Sequence, residues 1–177
     1  MSKLKRIFIA IDIPEEIRKE ILIIQKQIPE FRGKLTEYEN LHLTLKFLGE
    51  IEGDKIEELK RRLMEIKFKS FETTLDKIGF FDKGKRGIIW IHLTNCDDLQ
   101  KEIDKKLEGF FEQEKRFMSH LTIARIKDLK NRNKFTEELK KIKVPALKFS
   151  IKEFVLKESI LNEKGPIYKD LEKYKLE

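Results

Sequence analysis

Two hydrophobic periods alternate along this chain. Ile7-Phe8-Ile9-Ala10-Ile11 is an apolar run of strand type, closed by Asp12 and Pro14. Pro14 opens a helix whose Ile17, Ile21, Ile24 and Ile28 recur at helical spacing until Pro29 and Gly33 break it. Residues 41–48 alternate instead. On a strand, His42, Thr44 and Lys46 share one face while Leu43, Leu45 and Phe47 take the other. Gly49 and Gly53 end that strand. Asp54 and Glu57 have capping-box spacing ahead of a stripe of Ile56, Leu59, Leu63 and Ile66. Residues 71–78 form a further strand.

The order then begins again. Residues 79–87 read as a turn region with three glycines, and residues 88–93 as an apolar strand. Leu99, Ile103, Leu107 and Phe110 mark a helix, residues 120–126 a strand, and Phe135, Leu139 and Ile142 a shorter helix. Residues 147–161 are extended, and Asn162-Glu163-Lys164-Gly165 is a hairpin turn into a last strand from Ile167. Each half thus reads strand, helix, histidine-bearing strand, helix, strand. This internal similarity predicts an α+β, bilobal fold, with two pseudo-symmetric sheet-and-helix lobes around a central cleft. The 177 residues form one domain, with lobes roughly 1–80 and 81–177.

All three histidines of the chain open a His-Leu-Thr triplet: His42-Leu43-Thr44, His92-Leu93-Thr94 and His120-Leu121-Thr122. Seven of 177 residues are threonine, so one such coincidence is expected about one time in 25. On a strand each triplet presents an imidazole beside a hydroxyl while the leucine enters the core. His42 and His120 occupy equivalent positions in the two halves. His92 falls on the first strand of the second half and is a decoy by this argument. Two such pairs facing each other suit a phosphodiester. One imidazole serves as base and one as acid near neutral pH, and the hydroxyls donate to the phosphoryl oxygens where charge grows.

Composition narrows the partners. Lys+Arg 39 against Asp+Glu 32 leaves a net charge of +7, which favours polyanions, although both signs are interleaved over a solvated surface. Lys83-Gly84-Lys85-Arg86 is a basic tip that could guide an RNA backbone, or simply a solvated loop. It lacks the pattern of a nucleotide-binding P-loop. Four Gln and five Asn among abundant Lys and Glu point to a thermophilic source. The single Cys96 excludes an internal disulfide, reads as a buried or inert thiol, and fits a cytoplasmic protein. No apolar run approaches a membrane span or a signal peptide. The histidines lack acidic or cysteine partners at ligand spacing, so neither a metal nor another cofactor is expected.

Asn40-Leu41-His42-Leu43-Thr44-Leu45-Lys46-Phe47-Leu48-Gly49 and His120-Leu121-Thr122-Ile123-Ala124-Arg125 resemble the paired His-x-Thr-x motifs of the two-histidine (2H) phosphoesterases. Within that superfamily the chain is most similar to the RNA 2',3'-cyclic phosphodiesterase (2'-5' RNA ligase) family. Arg6 to Asp12 and Gly165 to Tyr168 resemble its terminal strands. The resemblance implies a metal-independent enzyme that opens a 2',3'-cyclic phosphate to a 2'-phosphate. In reverse, the same chemistry joins RNA ends through a 2'-5' bond without ATP. It implies His42 as proton donor and His120 as proton acceptor, with Thr44, Thr122, Arg125, Phe8 and Tyr168 binding substrate. It does not require His92. Strict alternation from His120 would send Arg125 to the wrong face, so its role requires a bulge. The implied partner is RNA with 2',3'-cyclic phosphate ends, tRNA fragments among them, acted on by a monomer. A non-catalytic RNA-end-binding module, or the same chemistry on a small-molecule cyclic phosphate, are the alternatives.

Overall fold

The computed structural model describes residues 3–84, 86–163 and 165–177; Lys85 of the basic tip and Lys164 of the predicted turn lie outside the described residues. In chain order the elements are β1 (Leu4–Asp12), α1 (Glu15–Gln25), β2 (Arg32–Leu35), a 3-10 turn (Tyr38–Asn40), β3 (His42–Glu52), α2 (Gly53–Met64) and β4 (Phe71–Lys83). There follow β5 (Arg86–Leu93), α3 (Asp97–Lys106), β6 (His120–Asp128), α4 (Arg132–Leu139), β7 (Lys148–Ile151), β8 (Glu153–Ile160) and β9 (Ile167–Lys175). The fold is α+β.

The strands form one antiparallel sheet in the order β7-β4-β5-β6-β3-β1-β8-β9, with β2 paired to β6. Its centre is the pairing of the two histidine strands, where Leu43 faces Leu121. Residues 1–80 and 81–177 exchange their outer strands. β4 pairs with β5 on one side, and β8 pairs with β1 on the other. The pseudo-symmetry is nevertheless close. On β1, Phe8, Ile9, Ala10 and Asp12 pair with Phe47, Lys46, Thr44 and His42. On β5, Ile88, Ile89, Trp90 and His92 pair in the same order with Arg125, Ala124, Thr122 and His120.

One sheet face packs under the helices. Ile17, Ile21 and Ile24 of α1, Leu59 and Leu63 of α2, and Leu99 and Ile103 of α3 share a core with Ile7, Ile9, Leu43, Leu45, Ile91, Leu121 and Ile123. Burying each such side chain is worth about 1.5–3 kcal/mol. The other face carries the histidines.

Several local expectations are corrected. α2 begins at Gly53, and its N-cap residue Glu52 makes no side-chain cap, so the Asp54–Glu57 pair does not cap this helix. α1 ends at Gln25, before Pro29. Residues 79–83 are strand rather than turn, because Gly79 lies beneath the Trp90 indole; a Cβ there would come within 2.2 Å of its Cζ2. Residues 147–161 divide into β7 and β8 at Lys152. Strict alternation also fails in β3. A register shift opposite Ile9 and Ala10 leaves Leu45 as an extra residue, so both Leu45 and Lys46 point into the core and Phe47 turns out, 71% exposed.

The displaced Lys46 is fully accommodated. Its ammonium meets the Asp104 carboxylate at 2.5 Å and also donates to the Glu112 carbonyl. Asp104 accepts further bonds from Gln100 and the Glu114 N–H, each 2.8 Å. Burial alone would raise the Asp104 carboxyl, but these donors hold it below its ordinary 3.8.

Candidate active site

β3 and β6 meet at the single pair Leu43–Leu121; antiparallel register carried one residue each way sets His42 towards Thr122 and Thr44 towards His120. In that register the two histidines are diagonal neighbours on one face. Both rings are half-buried at the cleft surface. Each is held the same way. The Nδ1 of His42 lies 2.7 Å from the Asn40 carbonyl, and that of His120 lies 2.7 Å from the Met118 carbonyl. A carbonyl can only accept, so Nδ1 carries the proton and each neutral ring keeps a lone pair on Nε2. The Thr44 hydroxyl is 3.0 Å from the His42 Nε2 and donates to it in that state.

The bulge of β3 recurs in β6 at the equivalent place. The register shift between Ile89 and Trp90 leaves Ile123 extra, so Ile123 and Ala124 are both buried and Arg125 emerges exposed beside His120 and Thr122. The bulge that Arg125 required is therefore present. Its positive charge acts on both His42 and Tyr168.

The remaining expected residues gather around His42. The Tyr168 ring is edge-on at 5.0 Å and Phe8 lies 5.2 Å away. Phe8 is only 2% exposed and backs the imidazole from beneath. The free aromatic face beside it is Phe47, 5.9 Å from Phe8, which alternation had hidden in the core. Asn40 adds a tie: its side chain donates to the Pro166 carbonyl and secures the segment before Tyr168. Beyond β1, Lys157 bridges Asp12 and Asp170. Desolvation is the main cause that lowers His42 to about 4; the Asn40 bond and the Asp12 charge oppose it, while Lys157 and Arg125 reinforce it.

On the other side, Phe81 meets the His120 ring edge-on at 5.2 Å and packs on Trp90 at 5.1 Å. His92 stands directly opposite His120 on the same face, its Nδ1 3.0 Å from Asp76. Position 92 is thus part of the cleft. Cys96 is buried, and burial pushes its thiol up, so it is no nucleophile. A groove of about 560 Å³ lined by Phe31, Arg32, Asp128, Lys134 and Phe135 contains none of the histidines. No helix of the described residues is long and apolar enough to cross a membrane.

The model of the LigT-like phosphoesterase family matches residues 11–90 and 94–168, one segment for each histidine motif. The chain belongs to that family. A relative from Methanocaldococcus jannaschii, an RNA 2',3'-cyclic phosphodiesterase, is 37% identical over 174 residues, covering 96% of this chain and 99% of its own. One of the same name from Archaeoglobus fulgidus is 34% identical and covers 94% and 97%. The LigT fold itself matches. Escherichia coli LigT complexed with 3'-AMP superposes with a TM-score of 0.79 at 25% identity, covering 98% of this chain and 99% of LigT.

Proposed function

We propose that this protein opens RNA 2',3'-cyclic phosphates to 2'-phosphates by two-histidine catalysis. It is a cyclic phosphodiesterase acting on RNA, as the names of its family relatives support. The observation that carries the mechanism is the bridge between the two histidine strands at Leu43 and Leu121, with each flanking imidazole tied through Nδ1 to a backbone carbonyl so that its lone pair is on Nε2.

With the cyclic phosphate between them, His120 Nε2 takes a proton from water as the water oxygen bonds to phosphorus. His42 Nε2 delivers a proton to the departing 3'-oxygen as its bond to phosphorus breaks. The product is a 2'-phosphate with a free 3'-hydroxyl, and proton exchange with solvent resets both rings. Thr44, Thr122 and Arg125 hold the non-bridging oxygens, and Phe47 and Tyr168 flank the ribose and base of the leaving side. Phe8 acts through the His42 ring it supports. When a 5'-hydroxyl replaces water as the nucleophile, the same groups join two RNA ends by a 2'-5' bond as the 3'-oxygen departs. The enzyme works as a cytosolic monomer, the whole chain forming one domain.

Incubating an RNA ending in a 2',3'-cyclic phosphate and identifying the phosphate position tests this. The expected product is the 2'-phosphate, with His42→Ala and His120→Ala each lowering the rate by about 10²–10⁴-fold while RNA binding persists. A 3'-phosphate product would reverse the assignment of the leaving oxygen, and full activity in either variant would end the mechanism.

A further inference from the structure

His92 is the histidine that this chemistry leaves unused, and its surroundings are built rather than incidental. It is the cross-strand partner of His120. The Leu93 N–H donates to the Ser119 carbonyl, so the His92–His120 pair falls between ladder bonds, where facing Cα atoms are only about 4.5 Å apart and side chains lie closest. Asp76 accepts from Nδ1 at 3.0 Å, fixing the ring and leaving Nε2 for the cleft. The pseudo-symmetric position in the first half is Asp12, the cross-strand partner of His42. There the counterpart is closed off, because Asp12 is bound to a Lys157 that is itself buried and shared with Asp170. On the His120 side His92 meets only the exposed Asp76 carboxylate, and no buried cation bridges two carboxylates there among the described residues. The Phe81 ring adjoins His120, and the Trp90 indole N–H is a buried donor with no acceptor among the described residues.

Strand order gives the direction. Across β3, β6 and β5 the sequence on the cleft face is His42, His120, His92, so His92 lies on the far side of His120 from His42. In-line displacement puts nucleophile and leaving oxygen on opposite sides of phosphorus. Whatever lies beyond the base therefore belongs to the nucleophile.

We propose that His92, with Asp76 and the neighbouring Phe81 ring, is the binding site for the RNA strand that brings the 5'-hydroxyl in ligation. The ring's Nε2 contacts the ribose of that strand's first nucleotide. Water needs no such site, so the inference concerns joining and not hydrolysis; it rests on the histidine roles proposed above.

The test compares the two nucleophiles on one enzyme. A donor RNA with a 2',3'-cyclic phosphate is incubated alone, and with increasing concentrations of a 5'-hydroxyl acceptor RNA, using the parent protein, His92→Ala, His92→Gln and Asp76→Asn. For His92→Ala, kcat/KM for the acceptor should fall by roughly 10- to 100-fold, the range of a lost hydrogen bond to a charged or tightly held group. The hydrolysis rate should stay within about twofold of the parent. His92→Gln, which keeps a side-chain hydrogen-bonding group, and Asp76→Asn, which keeps an acceptor, should fall between. Equal loss of both reactions would make His92 a support for His120 or for the fold, and unchanged ligation would remove it from the acceptor site; either overturns the proposal. A parent protein that hydrolyses the donor but never joins it also overturns the proposal, whereas failure of the underlying reading is distinct and shows as a 3'-phosphate product or as full activity in His42→Ala or His120→Ala.

Discussion

A proton donor must hold a proton, and His42, lowered to about 4, is neutral at pH 7 in the free protein. The substrate supplies what is missing. A cyclic phosphate carries one negative charge, and two unit charges about 4 Å apart at an effective dielectric constant of about 20 attract by about 4 kcal/mol. At 1.36 kcal/mol for each pH unit, this raises His42 by about three units, to ~7. Binding should therefore take up close to one proton at pH 6, and affinity should strengthen by about tenfold for each unit as pH falls from ~7 towards 4, levelling off below. The sign follows because the bound state holds the proton that the free state lacks in that window. His120→Gln, inert but with His42 intact, allows the cyclic-phosphate RNA itself to be used. Calorimetry in two buffers of different ionisation enthalpy counts the protons, and the His42 Cε1–H resonance reports its titration directly. His42→Gln should abolish the uptake. A His42 resonance that still titrates near 4 in the saturated complex would refute the reasoning and pass the donor role to His120.

Further outcomes follow from the same structure. Because His42 is lowered in the folded state, the unfolded chain binds the extra proton between 6.5 and about 4, and the free protein loses up to about 3 kcal/mol of stability as pH falls through that window; urea unfolding at pH 7 and pH 4.5 measures the loss, which His42→Gln should largely remove. Lys46→Met strands the buried Asp104 and should cost about 3–5 kcal/mol at pH 7. Asp104 is lowered in the folded state, so its contribution is present above 3.8 and disappears as pH falls further. The Lys46→Met penalty should shrink in that acid range, as denaturation curves at several pH values would show. Gly79→Ala drives a methyl into the Trp90 indole and should destabilise by about 1–3 kcal/mol, visible as a lower melting temperature with altered Trp90 fluorescence.

The histidine strands and their equivalence were legible because threonine and leucine follow each histidine at strand period. The bulges were not. Nothing in Leu45 or Ile123 marks an extra residue; the shift exists only in the pairing with β1 and β5, and it decides that Lys46 is inside and that Phe47 and Arg125 are outside. β2 was missed because its four residues are all exposed and offer no apolar period. Gly79 and Gly87 read as turn residues, whereas both make room for an aromatic ring within strands, Trp90 and Phe80 respectively. Asp76 could not be assigned to His92 until β4 was known to continue alongside β5.

The exchange of outer strands sets when the candidate site can be completed during synthesis. Phe8, His42 and Phe47 are made early, but Lys157 must return to Asp12 across 145 residues, and Tyr168 arrives later still. A ribosome stalled near residue 150 has already produced both imidazoles and both threonines, yet β8 and β9, with Lys157 and Tyr168, are still to come. Under the proposed mechanism, products truncated before β8 should therefore be idle towards RNA.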